Sequence, residues 1–173
     1  AFTGVLTAPE GSTLITPIST LADSLITQGL ATDLFAATQQ VQTALGIPQT
    51  VNALTFDPMA ALANVNGSDA SKQSALALLS VQQQVATVIA QASTMIAQGG
   101  TEKAATDASN AVVGALASAM SQSKTATFDL KSTANISAAV QSASTTLKSE
   151  ISVATLQQIS SVVTQSTTLL DND

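Results

Sequence analysis

Asp69-Ala70-Ser71-Lys72-Gln73-Ser74-Ala75-Leu76-Ala77-Leu78-Leu79-Ser80-Val81-Gln82-Gln83-Gln84-Val85-Ala86-Thr87-Val88-Ile89-Ala90-Gln91-Ala92-Ser93-Thr94-Met95-Ile96-Ala97-Gln98 holds neither Gly nor Pro and stops at Gly99-Gly100. At the rise of an α-helix it spans about 45 Å. Leu78, Val85 and Ala92 recur at seven-residue spacing, as do Val81, Val88 and Met95, and Ile89 and Ile96 widen the stripe. Such a repeat belongs to helices packed side by side at shallow angles. Gln82, Gln83, Gln84, Gln91 and Gln98 are expected to fall mostly outside it. Most of the other apolar segments are expected to lie against this helix.

After Gly99-Gly100, Thr101-Glu102 opens a second helix running to about Ser121, with Ala105, Ala108, Val112, Ala115 or Leu116, and Ala119 on its stripe and Met120 alongside. Small residues there let two backbones approach closely. Residues 123–131 read as a loop, with Phe128 and Leu130 tucked into the bundle end. Thr133 to Leu170 carries Ile136, Val140, Ala143, Leu147, Ile151, Ala154, Ile159, Val163 and Leu170. It reads as one helix or as two broken near Ser149 to Ser152. Its Ser, Thr and Val lower helix propensity, so packing has to override it.

Upstream, Thr16-Pro17 and Asp57-Pro58 each place a capping side chain before a proline favoured at the first helical position. Helices are therefore predicted from Pro17 to Gly29, with Ile18, Leu21, Leu25 and Ile26 on one face and Ile15 stapling its start, and from Pro58 to about Asn64. Between them, Thr32-Asp33 starts a helix with Leu34, Ala37, Val41 and Leu45 facing inward and Phe35 alongside, ending at Gly46. Val51, Leu54 and Phe56 should face inward from an irregular segment. Asn66-Gly67 marks a turn, and Ser68 or Asp69 caps the long helix. Ala1 to Thr7 is a short extended arm, anchored by Phe2, Val5 and Leu6. The reading is an all-α antiparallel bundle forming one domain over residues 1–173: an arm and turn at 1–16, short helices at 17–65 and long helices at 69–170.

Composition limits function. Hydrophobic residues make up 45% of the 173 residues but aromatics only 2%, so Ala, Leu, Ile and Val must fill the core. There is no Cys, His, Trp, Tyr or Arg, which removes the imidazole base, the thiolate nucleophile and the ordinary zinc, copper and iron ligand sets. A net charge of −6 without Arg or aromatic platforms argues against nucleic acid. Only 9% of residues are charged, so Ser, Thr, Gln and Asn must supply the polar surface. No window holds eighteen uninterrupted apolar residues, so no transmembrane helix is expected, and no basic segment precedes an apolar run at the start as in a signal peptide.

Candidate reactive groups are few. Lys72, Lys103, Lys124, Lys131 and Lys148 are scattered, and no Gly-x-Ser-x-Gly elbow or supported Ser-x-x-Lys motif accompanies them. Glu10, Asp23, Asp33 and Asp57 share the N-terminal third, and Asp33 and Asp57 are accounted for as helix caps. Calcium suits carboxylate oxygens, but no EF-hand loop is present, and Asp171-Asn172-Asp173 is only a fragment of a calcium loop. A metal site is neither assigned nor dismissed. Asn66-Gly67-Ser68 and Asn135-Ile136-Ser137 match the N-glycosylation sequon. No catalytic residue and no cofactor-binding residue is assigned. A small-molecule ligand is not expected, because the apolar stripes lack the aromatic lining and converging polar groups of a pocket.

Ala8-Pro9-Glu10-Gly11-Ser12-Thr13-Leu14-Ile15-Thr16-Pro17-Ile18-Ser19-Thr20-Leu21, followed by Ala44-Leu45-Gly46-Ile47-Pro48 and Leu54-Thr55-Phe56-Asp57-Pro58-Met59-Ala60-Ala61, resembles the opening of helical modules in large bacterial secreted and surface proteins. These are of the repeat-rich adhesin or hemolysin-like calcium-binding type, and the resemblance covers about residues 4 to 65. It implies an extracellular or cell-surface location, with no catalytic residue to carry over; helix packing and a Ser/Thr/Gln surface add the expectation of a non-catalytic structural or interaction module, a helical spacer or adhesion-associated domain. Two other roles fit the residues: a self-assembling subunit of an extracellular filament or layer, joined through protein–protein contacts of the arm or the last helix, and a bundle carrying a hydrophobic ligand.

Overall fold

The computed structural model describes residues 4–97, 102–123, 127–148 and 152–170; the side chains of residues 102, 103, 153, 169 and 170 lie outside that description. Its helices are α1 (Pro17–Thr27), α2 (Leu34–Leu45), α3 (Pro58–Ala63), α4 (Asp69–Ala97), α5 (Glu102–Gln122), α6 (Thr133–Thr146) and α7 (Val153–Leu170). Among the described residues there is no strand. The architecture is the all-α bundle expected from the heptad stripe.

Helix α4 packs against α5 and α7, α5 also against α6, and α6 against α7, so the four long helices close a ring. Short connections between successive helices make the neighbours antiparallel. Helix α1 lies on α5, α2 lies on α1, and α3 folds back on α4. A single buried cluster joins Leu21 and Leu25 of α1, Val41 of α2, Leu78, Val85 and Ile89 of α4, Leu116 of α5, Ile136 of α6 and Ile159 of α7. The heptad residues Leu78, Val85, Val88 and Ala92 are all at its centre.

The short helices begin where side chains satisfy their free N–H groups. Thr16 Oγ1 accepts from the Ser19 N–H at 3.1 Å while Ser19 Oγ accepts from the Thr16 N–H at 2.8 Å, a reciprocal capping box ahead of Pro17. Asp33 Oδ1 accepts from Ala36 N–H at 2.8 Å, and Asp57 Oδ1 accepts from the N–H groups of Met59 and Ala60 at 2.9 and 3.0 Å. Helix α2 stops because Gly46 turns left-handed, at φ 66°. Ser68 caps α4 by accepting from Ser71 N–H at 3.2 Å. The turn ahead of α1 depends on Gly11, whose φ is 92° and where an added Cβ would stand 2.9 Å from Leu34 Cδ2.

Several expectations are corrected by these contacts. Val5 and Leu6 are exposed, at 55% and 36%, and the arm is held by polar groups instead. Thr7 N–H donates to Thr20 Oγ1 at 3.0 Å, and the Thr7 carbonyl accepts from Ser19 Oγ at 2.9 Å. Phe2 lies outside the described residues. Ile15, 66% exposed, does not staple α1, because the position it would pack against is Thr20, whose hydroxyl bonds the Thr7 and Thr16 carbonyls. Phe35 is 74% exposed: two residues from the buried Ala37, it points to the opposite side of a helix that turns about 100° per residue. Gln84 is buried rather than outside the stripe, and Ala154 faces solvent.

The last segment is two helices. Leu147 ends α6, and Lys148 takes the left-handed position, φ 53°, that a glycine usually fills after a C-terminus. Phe128 and Leu130 are buried as expected, and the Phe128 N–H donates to the Ala44 carbonyl at 2.6 Å. That bond ties the link between α5 and α6 to the end of α2. Helix α4 is long and apolar enough, with a mean hydropathy of 1.2 over its best window, to cross a membrane by length and composition alone. Here its apolar stripe is covered by α3, α5 and α7.

Candidate functional site

The chain's reactive side chains are spread over separate elements. Glu10 is in the turn before α1, Asp23 on α1, Asp33 ahead of α2 and Asp57 ahead of α3. The Asp33 carboxyl is held below the usual carboxylate range, chiefly by the Ala36 N–H, which desolvation opposes, with further lowering from the Thr32 hydroxyl and the Phe35 N–H. Both Asp33 and Asp57 are thus engaged as caps. Among the described residues no three Asp or Glu side chains gather as a cation would need. Asp171, Asn172 and Asp173 lie outside the described residues.

Lys72 is in the first turn of α4, Lys131 just before α6 and Lys148 just after it. The Lys103 side chain and Lys124 are outside the described residues. The two sequons are separated by their surroundings. Asn66 is exposed in the turn between α3 and α4, whereas Asn135 donates its Nδ2–H to the Asp129 carbonyl at 3.0 Å, Ile136 is fully buried, and Ser137 Oγ sits 2.6 Å from Ser160 Oγ.

The concave surfaces are open grooves. A groove of about 620 Å³ lies between the α1–α2 turn and the end of α5, lined by Leu30, Gln39, Gln40, Thr43, Met120 and Ser123 among others. Gln40 donates to the Leu30 carbonyl at 3.2 Å, and its buried Oε1 has no partner among the described residues. Among the described residues no Asp, Glu or Lys lines this groove. A second groove, about 440 Å³, brings Phe128, Asp129 and Lys131 beside Ser80, Val81 and Gln84 of α4. A third, about 340 Å³, sits where α1, α5 and α6 meet and is again neutral, with Ser24, Gln28, Asn110, Ser118 and Thr146. Chemically, the described linings of the first and third offer amide and hydroxyl hydrogen bonds.

The polar feature that the sequence concealed is internal. Ser93, Ser109, Ser144, Ser160, Thr167 and Gln42 are buried. Gln91 of α4 donates to Ser166 Oγ of α7 at 2.8 Å, and Gln28, the C-cap of α1, donates to the Gly114 carbonyl of α5 at 3.1 Å. Thr167 Oγ1 of α7 lies 3.2 Å from the Leu130 carbonyl. Gln42 donates to the carbonyls of Val51 and Pro48 at 2.9 and 3.2 Å, which fixes the irregular segment after α2. Neutral side chains thus hold the helices in register where charged pairs often do so.

Comparison with known proteins gives no match: no family model, curated protein or solved structure is similar to this chain at a significant level.

Proposed function

We propose that the chain is a non-catalytic structural or interaction module of a secreted bacterial surface protein, acting as a helical spacer or adhesion-associated domain. The observation that carries this reading is that, among the described residues, no three carboxylates gather at one place while neutral hydrogen bonds join the helices. A side-by-side bundle resists bending through packing, and an Ser/Thr/Gln exterior stays hydrated without strong selectivity for charge. The resemblance of residues 4 to 65 to surface-protein modules supports the location.

An antibody raised against the folded chain should label intact, unpermeabilised cells of the source organism. Labelling that appears only after permeabilisation overturns the proposal. A second reading, self-assembly into an extracellular filament or layer, is favoured by the exposed Val5, Leu6 and Ile15 near the start of the chain and Val162 on α7. Sedimentation over a wide concentration range tests it, and a monomer at every concentration removes it.

A further inference from the structure

We propose that Asn66 is a site of spontaneous modification, at which the turn between α3 and α4 converts to aspartate and isoaspartate through a cyclic imide. Asn64 to Gly67 form a tight turn closed by the Gly67 N–H donating to the Asn64 carbonyl at 3.0 Å, with the Asn66 N–H bonded to Asn64 Oδ1 at 3.1 Å. The residue after Asn66 is a glycine, so no side chain obstructs approach of the Gly67 nitrogen to Asn66 Cγ. Asn66 is exposed, and among the described residues its carboxamide makes no hydrogen bond that would keep it from rotating toward that nitrogen.

None of the other described asparagines combines all of these features. Asn52 Oδ1 accepts from Leu54 N–H at 2.9 Å, Asn64 Oδ1 accepts from Asn66, and Asn135 Nδ2 is bonded to Asp129. Asn110 is exposed but lies inside α5, where the helical backbone bonds hold the following nitrogen. None of the four is followed by glycine.

The reaction balances without an oxidant or a cofactor. Hydroxide removes the Gly67 amide proton to give water, the nitrogen lone pair forms a bond to Asn66 Cγ, and the Cγ–Nδ2 bond breaks as Nδ2 takes a proton from water, so that ammonia leaves and hydroxide is regenerated. Water then opens the imide, giving aspartate when it attacks Cγ and isoaspartate when it attacks the main-chain carbonyl. The Gly67–Asn64 hydrogen bond must open first, so the folded turn reacts more slowly than the same sequence unfolded. Isoaspartate runs the main chain through Cβ and Cγ, which lengthens the turn by one atom. That bond can no longer close, and α3 is held less firmly on α4.

The test is to incubate the native chain at mildly alkaline pH beside the urea-unfolded chain and an N66Q variant, and to map the products by mass spectrometry of peptides. Native protein should exchange amide for acid at Asn66 before any other asparagine, several-fold more slowly than the unfolded chain. Proteolysis within residues 64–68 should be faster in the aged sample than in fresh protein or in N66Q. The proposal is overturned if another asparagine converts first in the native chain. It is equally overturned if Asn66 is intact when the unfolded chain has fully converted, or if native and unfolded rates are equal.

Discussion

The first three helices and the last four are stabilised on different scales. In residues 4–68 each helix begins at a cap within a few bonds of its own sequence: the Thr16–Ser19 box, Asp33 before α2 and Asp57 before Pro58. In α4 to α7 the sequence between caps is long and rich in Ala, Ser and Thr, and what fixes it is contact with neighbours, as at Leu78, Ile89, Leu116 and Ile159. Local chemistry writes the boundaries in one region, and tertiary packing writes the whole element in the other. The two regions should therefore fail differently when they are cut.

The sharpest break should come from Ile89→Ala, which empties a fully buried site facing the centre of the ring. A loss of about 2–5 kcal/mol is expected, read as a shift of the urea midpoint, and it should weaken α4 to α7 together. A value under about 0.5 kcal/mol would mean that the ring does not depend on packing at α4. Gln42→Ala acts on the other region. It leaves the Pro48 and Val51 carbonyls without their donor and should cost about 1–3 kcal/mol, with hydrogen exchange rising in residues 46–56. Equal exchange in that segment would show that Gln42 does not organise it.

Thr16→Ala removes one half of the capping box and should cost about 1 kcal/mol, with fraying confined to the start of α1 and release of the arm at Thr7. Loss spread evenly over the ring would erase the contrast between the two regions. The smallest effect is electrostatic. Because the folded Asp33 carboxyl titrates below its unfolded value, its contribution is present above the unfolded pKa and is lost as the pH falls through the lowered folded one. Stability measured from neutral pH into acid should fall less in Asp33→Asn than in the parent chain, since Asn still caps but does not titrate. An identical acid limb would remove Asp33 from the account.

The same contrast explains what could be read beforehand. Pro17, Gly46 and Pro58 carry stereochemical instructions in single residues, and the heptad stripe of α4 carries its own direction, so the helices and their packing were legible. A hydroxyl or an amide carries no such mark. Ser160 and Thr167 resemble surface residues in the sequence, yet they are buried because each bonds a carbonyl of its own preceding turn and also reaches a neighbouring element. The break after α6 was ambiguous for a related reason: Lys148 occupies the left-handed position, so neither Gly nor Pro announced it. At the grooves, Gln39, Gln40 and Ser123 gave no advance signal because no charge or aromatic ring distinguishes them from the rest of the polar exterior.

The seat of Phe128 has an optical consequence. Its ring is buried and its N–H holds the end of α2, at a joint where the α1–α2 hairpin and the link from α5 to α6 share a backbone bond. The chain contains no Trp or Tyr, so it is almost dark to near-ultraviolet fluorescence. A tryptophan introduced at Phe128 would be its sole emitter, and the colour of that emission would report, without any label, whether the hairpin is docked.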